Sequence, residues 1–262
     1  MAAINIHETA VVSPDAELGE GVVVGPHAVV CEQVKLGAGT QIGPHAVIHP
    51  FATLGEECRV HAGAVIADLP QDLAFDGSES YVEVGARSVL REGVTIHRGT
   101  KPGTVTRVGN DCFLMGFTHV AHNACLGNRV ISAQSAAFGG YVQVGDGVFA
   151  SANVLVHQFC RIGRLAMLGG ASGISKDVPP FCTAASMRRN RVSGLNVVGM
   201  RRAGLKPEER KAIKHVYATI YQKGLTVSDA VKQLRDETDD ALTVEMCDFI
   251  EASERGICGV AD

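Results

Sequence analysis

Two histidines three positions apart, His119 and His122, lie in the segment FLMGFTHVAHNACLGN of a 262-residue chain. A neutral imidazole is a competent general base near pH 7. Gly140 follows His122 by eighteen positions, Gln158 follows Gly140 by eighteen, and Tyr141 and His157 are their sequence neighbours. A glycine lets a substrate approach the backbone, where an N–H can stabilise an oxyanion. If residues eighteen apart stack, a base, an oxyanion donor and polar side chains meet on one face. The competing reading is ordinary exposed histidines on a repetitive surface. His119, His122 and Cys125 also resemble a metal cluster, but the spacing lacks a fourth ligand, and no paired CxxC offers a structural zinc site.

The stacking distance comes from a repeat. Every sixth residue from Ile6 to Ile66 is aliphatic, with a small or short residue four positions after most of them. A period of six fits neither a 3.6-residue helix nor an alternating strand. It fits a short strand and a turn repeated around a coil. Three hexads close one turn of a triangular prism, so residues eighteen apart lie on one face. The phase returns at Val84 and runs to Ile174, with Pro102, Ser132, Phe138 and Ala150 as weaker members. Roughly nine or ten coils at ~4.8 Å make a rod on the order of 45 Å long.

Two segments interrupt the prism. Residues 67–83 would place Asp72 and Ser78 in the core, and an unpaired buried carboxylate is costly, so this stretch is expected to loop out. Residues 101–107 carry Pro and Gly and read as a shorter excursion. The pattern ends near Val178-Pro179-Pro180. Pro207 then opens a helical segment, and Thr226–Glu237 and Thr243–Arg255 read as two more helices. The expected organisation is a β prism over 1–185 followed by a small α-helical domain over 186–262.

Apolar content of 46% with 5% aromatic residues and no Trp suits a globular chain with a small aliphatic core. MAAINIHETA has no basic, apolar leader pattern, and no stretch approaches a membrane span, so a cytoplasmic location is expected. Cys58, Cys112 and Cys160 occupy the small position of their hexads and read as core residues. The net charge is −4, but Ser186–Lys223 holds ten Lys/Arg against two Glu. That +8 segment is either a solvated helix face or a docking surface for an acidic partner or phosphates. Nucleic acid is not expected, since no aromatic interleaving or binding motif accompanies the charge.

The stretches QDLAF (71–75), REGVTIHRGT (91–100), HVAHNACLGNR (119–129), VHQFC (156–160), SKDVPPF (175–181) and GLNVVGMRRAG (194–204) together resemble the acyl-carrier-protein-dependent UDP-N-acetylglucosamine O-acyltransferases of lipid A biosynthesis. The resemblance runs over essentially the whole chain. It implies a left-handed parallel β-helix and a homotrimer with active sites between adjacent prisms. It implies transfer of an (R)-3-hydroxyacyl group from acyl carrier protein to the 3-hydroxyl of the sugar nucleotide, without metal or cofactor. His122 matches the general base and Gly140 the oxyanion donor. Gln71, Asp72, His119, His157, Gln158, Asn196 and Arg202 match substrate-contacting positions, and Tyr141 and Arg189 stand where the family has histidines. Gly170 falls where the family sets acyl length, so a chain near fourteen carbons is expected. Arg161, Arg164 and the Arg188–Arg191 cluster are candidate contacts for the acidic carrier.

The chain departs from that pattern at several positions. Ala74 stands where Lys is frequent, Asn123 where Asp is common, Val198 where an acid is expected and Ala203 where a second Arg is expected. Asn123 still accepts a hydrogen bond but adds no negative charge to raise histidine basicity. Ala74 and Ala203 remove cations from the expected nucleotide site, while Arg189 adds one. These changes leave two alternatives open: N-acylation of a 3-amino sugar nucleotide, and a non-catalytic hexapeptide scaffold that binds a carrier protein.

Overall fold

A computed structural model describes residues 3–260. The hexads fold as short parallel strands wound into a left-handed β-helix with three faces. Here they are called sheets A, B and C, of 12, 9 and 8 strands. Register follows the repeat: Asn5 pairs with Val23, Val11 with Val29 and Glu17 with Lys35. The inward residue of each strand stacks on its equivalents, and Ile42, Ile48, Leu54, Ile66, Leu90, Ile96, Leu114, Leu126, Ile162 and Leu168 are fully buried. Ile6, packed by one coil only, stays 43% exposed. Ser132 tolerates its core position because its hydroxyl is 3.0 Å from that of Thr118.

Both interruptions are loops. Across the first, Arg59 pairs with Val89 and Val65 with Thr95, thirty positions on instead of eighteen. Across the second, Val89 pairs with Phe113 and Thr95 with His119, twenty-four on. Each insertion is a multiple of six, so the hydrophobic phase survives both. Both loops are shorter than expected: strands cover Val65–Asp68 and Tyr81–Val84 on either side of the first, a strand resumes over Val105–Val108 after the second, and Pro102 sits exposed in the loop instead of in the core. Proline lacks the N–H a ladder needs.

At most corners the chain turns through a residue in the left-handed region, and many of these are not glycine: Asn123 (φ 61°), Tyr141 (φ 60°) and Phe159 (φ 65°) form one column. Such backbone is costly for an L-residue. The stack offsets it, because the turned N–H bonds to the coil before it: Tyr141 to the His122 carbonyl at 3.1 Å and Phe159 to the Gly140 carbonyl at 2.9 Å.

Beyond the prism, Cys182–Ala184 extends sheet A, Arg191–Leu195 returns antiparallel to it, and Gly259–Val260 adds in parallel. Four helices follow Leu195: α1 (Val197–Arg202), α2 (Pro207–Tyr221), α3 (Val227–Glu237) and α4 (Ala241–Glu251). They bury Met200, Ile213, Val216, Leu234 and Met246 together with Phe181. The first helix, six residues long, is too short to show periodicity. The last begins earlier than expected because the Asp240 carboxylate caps it, accepting from the N–H groups of Leu242 and Thr243. Among the described residues no helix is long and apolar enough to cross a membrane.

Candidate active site

His122 lies at the corner where sheet B passes into sheet C, directly before Gly140 on the next coil. Its residue is 9% exposed. A Cβ added to Gly140 would stand 2.5 Å from the ring Cε1 and 2.6 Å from Nε2. The glycine is therefore required by the imidazole that covers it. No acceptor among the described residues takes the Gly140 N–H. The His122 Nε2 and this backbone donor thus border the same space, which suits proton removal next to a developing oxyanion.

The long loop folds back onto this corner. Asp72 Oδ2 is 3.9 Å from His122 Nε2, while Oδ1 accepts from the Ala74 N–H at 2.9 Å. On the other side of the ring, His122 Nδ1 is 3.1 Å from Asn123 Oδ1. Tyr141 meets the imidazole edge-on at 5.4 Å and stacks its face on Phe159 at 4.9 Å.

Sequence reasoning missed three residues here. Thr100, from the short loop, donates its N–H and hydroxyl to Asn123 Oδ1 at 3.1 and 3.0 Å. Arg98, 8% exposed, places its guanidinium over Phe51 and over Phe75 of the long loop. His97, 5% exposed, packs edge-on against His119. Burial, reinforced by neighbouring His119, pushes the pKa of His97 down to about 4. Burial and then His122 lower that of His119, whose Nδ1 is 2.7 Å from the Thr95 hydroxyl. All three missed residues belong to REGVTIHRGT, where their clustering was the available signal.

A second cluster lies on the outer face of sheet B. His119, His157 and Arg189 line a cavity of about 360 Å³ floored by Ala137, Leu155 and Gly173. Gly170 sits at the far edge of that sheet. An added Cβ there meets only Ala152 O at 3.6 Å and Ser151 Cβ at 3.8 Å, so no neighbour in the chain demands glycine. Gln158 is exposed one coil beyond Gly140, and Gln71 is exposed beside Asp72 on the loop.

Other expected site residues are not gathered at His122 within one chain. Asn196 is the N-cap of α1: its Oδ1 accepts from Gly199 and its Nδ2 donates to the Leu165 carbonyl. Arg202 is exposed in the last turn of that helix. Arg161 and Arg164, candidate carrier contacts, are instead held by α4. Arg161 lies over Phe249 and donates to its carbonyl, and Arg164 makes a two-point pair with Glu245 at 2.8 and 2.7 Å. Arg188 and Arg189 remain exposed. Among the described residues no group of three or more His, Cys, Asp or Glu is placed to hold a metal ion.

Known proteins with the same architecture carry related names. Residues 177–258 match the family model of UDP-N-acetylglucosamine O-acyltransferase domain 2, and residues 33–68 match the bacterial transferase hexapeptide model. Acyl-[acyl-carrier-protein]–UDP-N-acetylglucosamine O-acyltransferases of Halorhodospira halophila and Alkalilimnicola ehrlichii are 44% and 48% identical, each over 96% of this chain and 98% of theirs. The solved UDP-N-acetylglucosamine acyltransferase of Bacteroides fragilis superposes with a TM-score of 0.91 at 38% identity, over 96% of this chain and 98% of that one. The Francisella novicida structure of that name gives 0.92 at 34%, over 98% and 95%. By sequence and by fold alike, the chain belongs to the acyl-[acyl-carrier-protein]–UDP-N-acetylglucosamine O-acyltransferase family.

Proposed function

We propose that this protein transfers an (R)-3-hydroxyacyl group from acyl carrier protein to the 3-hydroxyl of UDP-N-acetylglucosamine, the first step of lipid A biosynthesis. The observation that carries the mechanism is the close approach of His122 Nε2 to Gly140. The Nε2 lone pair takes the proton of the 3-hydroxyl as its oxygen attacks the thioester carbon. The negative charge on the former carbonyl oxygen is met by the Gly140 N–H. Collapse expels the carrier thiolate, which recovers the proton from the imidazolium and leaves an ester. Asp72 Oδ2, 3.9 Å from Nε2, faces the ring nitrogen that takes up the proton.

Gln71, Asp72, His119, Tyr141, His157, Gln158, Gly170, Arg189, Asn196 and Arg202 are assigned to substrate binding. The cavity beside His119 leads along Ala137, Leu155 and Gly173 toward Gly170. Gly170 lies three coils beyond His122, about 14 Å along the axis, a path that suits a long acyl chain. We place the chemistry in residues 1–185 and assign 186–262 to carrier and nucleotide contacts. The protein acts as a homotrimer. Support comes from the outward row of sheet A, where Val89, Phe113, Ile131, Phe149 and Met167 form an apolar stripe, with Phe117 62% exposed at its edge. The separation of Asn196 and Arg202 from His122 also supports a site completed by a neighbouring copy. The reaction is placed in the cytoplasm; the eight cysteines are all free, as in a reducing compartment. The relatives are named O-acyltransferases, which favours the hydroxyl over the 3-amino acceptor that Ala74 and Ala203 left open.

A mass-spectrometric assay tests this. Protein is given (R)-3-hydroxyacyl carrier proteins of several lengths and both 3-hydroxyl and 3-amino sugar nucleotides. An ester near fourteen carbons that falls by at least about a hundredfold with His122→Ala is expected, the lower range for a lost general base. An amide product, or transfer unchanged in the variant, overturns the reading.

A further inference from the structure

We infer that Thr100 and Tyr141 are positioning residues that fix the Asn123 amide and thereby hold His122 in the Nδ1-protonated tautomer. The inference rests on His122 acting as the base.

The hydrogen directions follow from one obligate donor. The Thr100 backbone N–H is 3.1 Å from the Asn123 side-chain atom assigned as Oδ1, and a backbone N–H can only donate. That atom must therefore be the amide oxygen, because the amide NH₂ would set two donors against each other. An amide oxygen cannot donate, so the Thr100 hydroxyl at 3.0 Å donates to it. The hydroxyl's proton is thereby used, and Tyr141, 3.0 Å from Thr100 Oγ1, donates in turn. His122 Nδ1, 3.1 Å from the same oxygen, carries a hydrogen. Its Nε2 is left with the lone pair, on the side facing Asp72 and Gly140.

The surroundings hold this chain in place. Thr100 is 5% exposed and Thr106 is fully buried. The Asn123 N–H is bound to the Thr106 hydroxyl at 2.7 Å, which pins the backbone of that residue. The Tyr141 ring is fixed between the edge contact to His122 and the stacked face of Phe159. An amide differs from a carboxylate in one respect that matters here: its two ends are not equivalent. A carboxylate presents an acceptor whichever way it turns. Asn123 presents one only in one orientation, and the opposite orientation would put NH₂ against Nδ1 and move the imidazole hydrogen to Nε2, where it blocks the base. The Thr100 hydroxyl and Tyr141 add donors that select the correct end.

The test is a double-mutant cycle on the full-length protein, with a spectroscopic arm. Thr100→Val keeps the backbone donor and removes the hydroxyl. It is expected to lower kcat about fivefold, the effect of one neutral hydrogen bond, with KM unchanged, while Thr100→Ser retains wild-type kcat. In an Asn123→Asp background, Thr100→Val should cost less than about twofold, because either carboxylate oxygen accepts. Tyr141→Phe provides a second entry to the chain should Thr100→Val fold poorly, with a smaller kcat loss expected in the Asp background than in the Asn background. Nitrogen-15 spectra of ring-labelled histidine, assigned with a His122→Gln variant, should show the Nδ1–H tautomer at His122 in the wild type and a rising Nε2–H fraction in Thr100→Val. Equal losses in both backgrounds, or Nε2–H in the wild type, overturn the inference. Retained activity in His122→Ala would instead sink the base assignment and leave the tautomer spectrum as it is.

Discussion

At the scale of single residues, the site depends on contacts with no spare room. Gly140 does not have a positive φ, yet an added methyl would occupy the His122 ring. Gly140→Ala keeps the N–H and displaces the proposed base, so kcat should fall roughly a hundredfold, as for a misplacement of about 1 Å, with the folded content by circular dichroism unchanged. His97 bears on stability. It is neutral when folded, since burial and then His119 bring its pKa to about 4, against 6.5 for a free side chain. Below pH 6.5 the unfolded chain takes up a proton that the folded chain refuses until about pH 4. Its contribution is therefore complete above pH 6.5 and is lost as pH falls toward 4, by up to about 3 kcal/mol. Urea midpoints should drop between pH 7.5 and 5, and His97→Phe, which cannot charge, should flatten that drop; an unchanged slope would refute it.

At the scale of elements, the two insertions complete a site that the repeat alone cannot build. Regular hexads place His122 and Gly140 in one column, but Asp72 comes from the first loop and Thr100 from the second. Arg98 ties the loops together: its guanidinium lies over Phe75 and Phe51, 5.3 and 5.1 Å from the ring centres, and its N–H donates to the Asp68 carbonyl at 3.1 Å. Its Nε is buried with no partner, a cost tolerated for the grip on the loop. Arg98→Met should release residues 69–80. Cation–π contacts are worth about 1–2 kcal/mol when partly desolvated, so protease cleavage in this loop should speed up about tenfold, with cleavage elsewhere unchanged. Elsewhere along the rod, corner side chains form a ladder that replaces such clamps: Asn110 Oδ1 accepts from the Ala86 N–H, Asn128 Oδ1 from Asn110, and Asp146 Oδ1 from Asn128.

At the scale of the whole molecule, sheet A matters most. Sheet C faces outward with Glu17, Lys35, Thr53, Glu83, Arg107 and Gln143, whereas sheet A presents Val89, Phe113, Ile131, Phe149 and Met167. Such an apolar stripe supports the proposed interface between copies. Ile131→Glu puts an unpaired charge at its centre. Sedimentation should then report a monomer in place of the trimer proposed for the wild type, with transfer activity lost in parallel if Asn196 and Arg202 serve a neighbour's His122. A monomer that keeps full activity would detach the trimer from the chemistry. The helical segment does not float free of the rod, since Arg191–Leu195 and Gly259–Val260 continue sheet A and Arg164–Glu245 ties α4 to the prism.

What the sequence alone determined is periodic or local. The six-residue phase specifies the prism because each aliphatic must be buried against its equivalents, and both insertions preserve that phase. The same phase places Gly140 over His122, since stacking follows from counting. Proline and threonine mark the starts of α2 and α3 by local hydrogen-bonding rules. What only the tertiary structure decided are contacts between segments unrelated by the count: Thr100 on Asn123, Arg98 between two rings, Asp72 against His122, and the capture of Arg161 and Arg164 by α4. A loop's path has no period, and an arginine's charge does not say whether water, a carrier or a glutamate will meet it. Those outcomes are settled by which surfaces the folded chain brings within a few ångströms.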